Sequence, residues 1–209
     1  MEQLFDRSAV VMMTPTPKPR NRGGGWVSDK VLREEQQLSA ALYNALDLDY
    51  QNPVVLTGPV IVTAMYLLPR PKALQFQYKD GSWKYPPGLI PHRKVPDVDN
   101  LTKRLLDCLA TVYASALFAE YSNEAFAGSK SVRTSDLWVT AKKTCMPFFD
   151  FSDAQIGQED CSKGYHEMVD TGLPGWGKPR TLLRVREVTE EYFEEYLLRK
   201  AHEIMNPPT

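Results

Sequence analysis

The alternation of apolar and polar positions divides this 209-residue chain into short elements punctuated by proline and glycine. Residues 8–14 form an apolar run that reads as a short buried strand. Residues 15–25 hold Pro15, Pro17, Pro19 and Gly23, Gly24 and Gly25, which remove amide donors and raise the cost of order, so no helix is expected there. Ser28 or Asp29 can cap a helix over 30–46, with Leu32, Leu38, Leu42 and Leu46 roughly on one face. Pro53 interrupts; residues 54–68 then read as a strand whose second half is apolar on both faces, as in a central strand. Residues 72–96 are loop-like, and a helix is expected over about 99–113. Residues 131–143 predict another strand and 146–179 a polar insertion or long loop, packed on the core through Phe148, Phe149 and Phe151. Residues 181–188 alternate as an edge or outer strand does, and Thr189, Glu190 and Glu191 open a final amphipathic helix. This order predicts one α/β domain with a mixed sheet flanked by helices.

Charge narrows the partners. Twenty-five Lys and Arg face 26 Asp and Glu, a formal net charge of -1, so generic adhesion to nucleic acid or anionic lipid is not available and any polyanion site must be a local patch. The cations do cluster: Lys18, Arg20 and Arg22, then Arg70 and Lys72, then His92, Arg93 and Lys94, then Lys103 and Arg104, while many acids lie in 146–170 and 187–195. Cys108, Cys145 and Cys161 are few, odd in number and not in metal spacing, which fits a reducing compartment. No apolar run is long enough to span a membrane or serve as a leader, so a cytoplasmic, nucleoid-associated protein is expected.

The segment that carries chemistry is Val95, Pro96, Asp97, Val98, Asp99, Asn100, Leu101, Thr102, Lys103, Arg104, Leu105, Leu106 and Asp107. If Asp97 and Asp99 are both extended, their spacing puts both carboxylates on one face. Asp99 or Asn100 can cap the helix. On that helix Asp99, Lys103 and Asp107 share one face, and Leu101, Leu105, Cys108, Leu109 and Val112 the other. Close carboxylates repel unless a cation joins them; Mg²⁺ needs only a few such oxygens and keeps water for the rest. Lys103 is placed to neutralise a phosphate oxygen or to order a nucleophile. The bland reading is a capped helix with i, i+4 ion pairs on a solvated face.

The string Asp97, Asp99, Asn100, Leu101, Lys103, Asp107, with Pro96 ahead of it, resembles the signature of the RusA family of Holliday junction resolvases. Residues 14–20 resemble the proline-and-basic segment after that family's first strand, 58–72 its central strand and following turn, 138–143 the strand after its catalytic helix, and 181–188 its closing strand. The resemblance implies a single RusA-like domain, with core about 8–144 and 180–188, an insertion about 145–179 and a C-terminal helix about 189–205. It also implies a homodimer that binds branched, four-way DNA and nicks two strands symmetrically with Mg²⁺ or Mn²⁺, without a nucleotide cofactor or membrane. Asp97 and Asp99 would be metal ligands and catalytic, Lys103 the assisting cation, Asp107 and Asn100 supporting residues. Lys18, Arg20, Arg22, Arg70, Lys72, Arg93, Lys94 and Arg104 would meet DNA. A further acid, expected just past the helix, has no aspartate at the corresponding place; Glu120 is the best substitute by position, then Glu124, while Asp136 sits inside the expected strand.

Two rivals remain at this point: a junction-binding module that has lost cleavage, and another D-x-D enzyme such as a phosphatase or nucleotide-sugar transferase. The latter usually sets its acids at the end of an apolar strand, whereas a basic loop precedes Asp97 here. His166 and His202 lack metal-ligand partners at useful spacing and read as surface or insertion residues. Gly23 to Gly25 and Gly172 to Gly177 lack the surroundings of phosphate or dinucleotide loops. Phage or prophage origin is left open.

Overall fold

The computed structural model describes residues 4–17, 27–91, 96–127, 133–150 and 156–205. Its elements are β1 (Asp6–Val11), α1 (Asp29–Ala45), β2 (Val60–Leu68), a 3-10 turn (Lys72–Leu74), β3 (Ile90–Pro91), α2 (Val98–Ala110), α3 (Ala114–Ala127), α4 (Thr134–Thr144), β4 (Ile156–Tyr165), β5 (Arg180–Glu187) and α5 (Glu190–Met205). The fold is α/β, with one mixed five-stranded sheet in the order β1-β5-β2-β4-β3. β2 pairs parallel with β4 and antiparallel with β5; β1–β5 and β3–β4 are antiparallel.

β2 is the buried centre that its apolar run predicts. Val60, Val62, Ala64 and Tyr66 pack with α1 and α2 through Leu42, Leu101, Leu105 and Leu109. Ile61, on the other face, meets Val188 and Tyr196 beside α5. Ser28 caps α1, accepting from the Val31 amide at 3.4 Å. Phe148 and Phe149 are buried as expected, and Phe151 lies outside the described residues. No helix among the described residues is long and apolar enough to cross a membrane.

Four expectations are corrected. From Thr134 onward the expected 131–143 strand is helix: Trp138 and Ala141 are buried three apart, and Val139, which strand alternation would pair with Leu137, is exposed. Together with the unforeseen α3 it forms a helical hairpin, whose core of Ala114, Leu117, Trp138 and Ala141 reaches α1 at Leu32. Residues 145–179 are not an appended insertion, because β4 lies inside the sheet beside β2. Its apolar content is slight, so backbone pairing with β2, not side-chain pattern, marks it as a strand. β5 is interior rather than an edge; its polar positions include Arg184, whose guanidinium pairs across β1 with Asp6 at 2.6 Å. His166 is buried, not superficial. Gly172, Gly175 and Gly177 all hold positive φ (76°, 68° and 74°), where a side chain would be strained, and at Gly175 a Cβ would also crowd Met12 Sδ at 2.7 Å.

Candidate active site at the N-terminus of helix α2

Asp97 is the N-cap of α2, with φ -70° and ψ 148°, and Asp99 is already in the first helical turn. The extended-pair expectation therefore fails, and so does capping by Asp99 or Asn100. Both acids still stand in one opening turn, exposed to solvent. An N-cap aspartate ordinarily accepts from the helix amides. Asp97 makes no such bond, and among the described residues its carboxylate has no other partner. Lys103 Nζ lies 2.9 Å from Asp99 Oδ2, one turn along the exposed face. Such a solvated pair contributes only a few tenths of a kcal/mol, roughly 0.3–0.5, and can readily exchange partners. Asp107 continues that face and is exposed, with an interaction of its own; Asn100 is half-buried.

The opposite face fixes the helix. Leu101, Leu105, Cys108, Leu109 and Val112 are all buried, as the spacing predicts. Thr102 and the Tyr66 hydroxyl share a hydrogen bond of 3.1 Å, linking α2 to β2, and burial pushes the Tyr66 phenol well up. Burial likewise raises the Cys108 thiol to about 12, an unreactive structural position. From β4, Lys163 Nζ donates to the Pro96 carbonyl at 2.7 Å, directly before Asp97.

Glu120 does not join this group. It sits on the second turn of α3, where its charge acts on Tyr50, whose amide donates to the Tyr43 hydroxyl. Tyr43 packs edge-on against Tyr113, just past the far end of α2. The 13-residue helix between is about 20 Å long. Glu124 lies further along α3, and Asp136 in the first turn of α4. No group of three or more His, Cys, Asp or Glu able to hold a metal forms among the described residues.

The cations divide. Arg70 and Arg104 are almost fully buried and are structural, which corrects their expected DNA role. Arg70 donates to the carbonyls of His166 (3.1 Å), Pro86 (2.9 Å) and Gly88. Arg104 donates to Pro17 O at 3.1 Å and meets Glu34 at 3.3 Å. Sequence reading missed this because a basic residue near a carboxylate motif looks the same whether it faces DNA or clamps backbone. Lys72 is exposed. Lys18, Arg20, Arg22, His92, Arg93 and Lys94 lie outside the described residues.

A family model described as "Endodeoxyribonuclease RusA" matches residues 11–116, from the end of β1 through all of α2. The chain belongs to the RusA family. Membership carries endonuclease action on four-way DNA junctions as the family's activity. No curated protein and no solved structure matches the chain. The RusA match stops in the first turn of α3, so the helical hairpin lies almost wholly beyond it. The first strand after α2 is β4, and the acids just ahead of it in sequence are Asp150 and Asp153, not Glu120. Asp150 is exposed, and Asp153 lies outside the described residues.

Proposed function

We propose that the protein is a divalent-metal-dependent endonuclease that resolves four-way DNA junctions by paired nicks, with the reaction centred on the N-terminus of α2. The observation that carries this reading is Asp97: an N-cap acid that leaves its own helix amides unengaged, one residue from a second exposed acid. Hard oxygen donors on a solvated turn fit Mg²⁺ or Mn²⁺, which take one or two carboxylates and keep water and substrate phosphate as the remaining ligands. Asp97 and Asp99 would hold the ion. When bound, it supplies Lewis acidity toward water and the phosphate. Lys103, turning from Asp99 to the substrate, neutralises a phosphate oxygen, and the positive end of α2 favours the same charge. Exposed Lys72 and the cations of 18–22 and 93–94 serve DNA binding in this reading.

A third carboxylate is assigned to the segment ahead of β4, Asp150 or Asp153. Asp150 follows Phe148, whose amide bonds to the Ala110 carbonyl at the C-terminal end of α2, about 20 Å from Asp97. Within one chain that end does not reach the aspartates. A homodimer is therefore part of the proposal, each copy completing the other's site, and it also supplies the two centres that paired nicks require. The distance equally supports a second reading, a junction-binding protein without cleavage. Junction nicking in Mg²⁺ and Mn²⁺, with Asp97→Asn and Asp99→Asn as controls, decides between them: tight binding with no nicks in either metal establishes the second.

A further inference from the structure

Residues 76–84 fold as a small antiparallel β-hairpin between the 3-10 turn and β3. Gln77 pairs with Trp83; the Tyr78 amide donates to the Ser82 carbonyl at 2.8 Å and the Lys84 amide to the Phe76 carbonyl at 3.1 Å. A two-stranded hairpin is marginal in water by itself, and this one is held at both ends. At the tip Gly81 has φ 85°, and Asp80 Oδ1 accepts from the Ser82 amide (2.9 Å) and hydroxyl (2.6 Å). At the base Arg70 donates to the Pro86 and Gly88 carbonyls, Gln75 Nε2 donates to the Arg70 carbonyl, and the Met168 amide donates to the Pro87 carbonyl at 2.7 Å. Strand alternation puts Phe76 and Tyr78 on one face, with Lys84 across from Phe76. That face buries little: Phe76 is 51% and Tyr78 47% exposed, their rings edge-on with centroids 5.2 Å apart. Lys84 Nζ stands 6.0 Å from the Phe76 ring centroid. Two large rings held side by side in water on a pinned hairpin contribute little to the fold and are open to a ligand.

The hairpin stands at the acid-bearing end of the sheet. It follows the C-terminal end of β2, and β3, which comes after it, pairs through Pro91 with Gly164. The neighbouring Lys163 holds the Pro96 carbonyl, directly before Asp97. β3 and the turn that carries the acids are thus fastened to adjacent residues of β4. The segment is also cationic: residues 71–91 hold Lys72, Lys79 and Lys84, all exposed, against one acid, Asp80, whose carboxylate is engaged in the hairpin turn. Aromatic faces interleaved with lysines suit a nucleic acid that has an uncovered base, the ring taking the base and the ammonium the phosphate. Base pairs inside a duplex are covered on both faces by their neighbours, whereas those at the branch point of an open four-way junction lose one neighbour. We propose that the 76–84 hairpin is a stacking platform for a base at the branch point, and that Phe76 and Tyr78 thereby distinguish a junction from linear duplex. The proposal rests on the junction reading above, not on cleavage.

The test measures binding of the full chain to a four-way junction and to a linear duplex of the same arm sequence, over a range of salt and without divalent metal. The wild type should favour the junction. Phe76→Ala/Tyr78→Ala should bind the junction about tenfold more weakly, the loss expected for one stacked base. Its duplex affinity and salt slope should stay unchanged, because no phosphate contact is removed. Phe76→Trp, which keeps a ring at that place, should retain the preference. A junction with 5-iodouracil at the branch point should, on irradiation, crosslink to Phe76 or Tyr78, and one with the same base in mid-arm should not. Equal losses on junction and duplex, or an unchanged preference with crosslinks elsewhere, overturn the platform and leave the junction reading in place. A wild type with no preference for the junction overturns that reading and the platform with it.

Discussion

Lys163 on β4 is tied to Pro96 by a 2.7 Å hydrogen bond from its ammonium to the main-chain carbonyl, one residue ahead of Asp97. The bond spans from the sheet to the turn that presents the acids, so the position of Asp97 is set by β4 as well as by α2. A charge-assisted bond of this kind contributes about 1.5–3 kcal/mol. Lys163→Met should lower single-turnover nicking at least tenfold and raise the Mn²⁺ concentration needed for half-maximal rate, while junction affinity changes little. Lys163→Arg should recover part of the rate. Equal rates and equal metal dependence in wild type and Lys163→Met would show that β4 does not position the acid.

The carboxylates make a sharper prediction. Asp97→Asn and Asp99→Asn each remove a charge from the proposed metal site and should reduce nicking by at least 100-fold, roughly the loss expected when a group acting in the transition state is removed, with junction binding retained. Asp153→Asn, with Asp150→Asn beside it, should identify the third acid. If that acid comes from a second copy, a mixture of Asp99→Asn with the inactive variant of the pair should regain single nicks, since one of the two sites in each mixed dimer is then intact. A mixture as silent as its components places all three acids in one chain or none.

Much of this architecture is legible in the residues. The α2 stripe of Leu101, Leu105, Cys108 and Leu109 against Asp99, Lys103 and Asp107 is a strong helical period, and it is found as read. β2 is equally plain, because a strand buried on both faces writes its burial into nearly every residue. β4 is not legible: its partly buried apolar residues at the core are Ile156 and Cys161, and its place is set by hydrogen bonds that leave no trace in composition. Glu120 is the acid that spacing from Asp107 picks out, and α3 holds it beside Tyr50. The 131–143 error has the opposite origin, for Trp138, Val139 and Thr140 favour strand locally, yet packing against Phe118 and Leu117 overrides that preference. Burial of individual cations is the other gap, since Arg70 and Lys72 stand two residues apart in sequence and have unrelated roles.

That contrast is measurable. Arg70 holds three carbonyls of the chain around β3, and burial lowers its pKa while the charge of Glu167 opposes that. Arg70→Met should cost about 3 kcal/mol in a urea titration, because buried carbonyls lose a charged donor. Whatever folded protein remains should bind junctions with the wild-type salt slope. Lys72→Gln should do the reverse, leaving the urea midpoint within about 0.5 kcal/mol and flattening the salt slope. A flattened slope in Arg70→Met would return that residue to the DNA surface.

The loop that follows β4 is anchored by a fully buried ion pair. Arg180 donates to both carboxylate oxygens of Glu167, at 2.7 and 3.0 Å, and the Thr171 hydroxyl adds a third bond at 2.9 Å. Burial alone would raise the Glu167 pKa, but the Arg180 hydrogen bonds, with help from Thr171, outweigh it and hold the carboxyl at about 2 against an ordinary 4.5. A carboxyl whose folded pKa is depressed stabilises fully above its unfolded value and loses that contribution as pH falls through the folded one. Stability should therefore fall between pH 4.5 and about 2 through this group. Glu167→Gln should be destabilised by roughly 3–5 kcal/mol at neutral pH, since it leaves Arg180 buried without a counter-charge. It should also lose less stability than the wild type across the acid window. Urea midpoints taken from neutral pH down through that window measure both effects, and parallel acid profiles for the two proteins would mean that the acid sensitivity resides elsewhere.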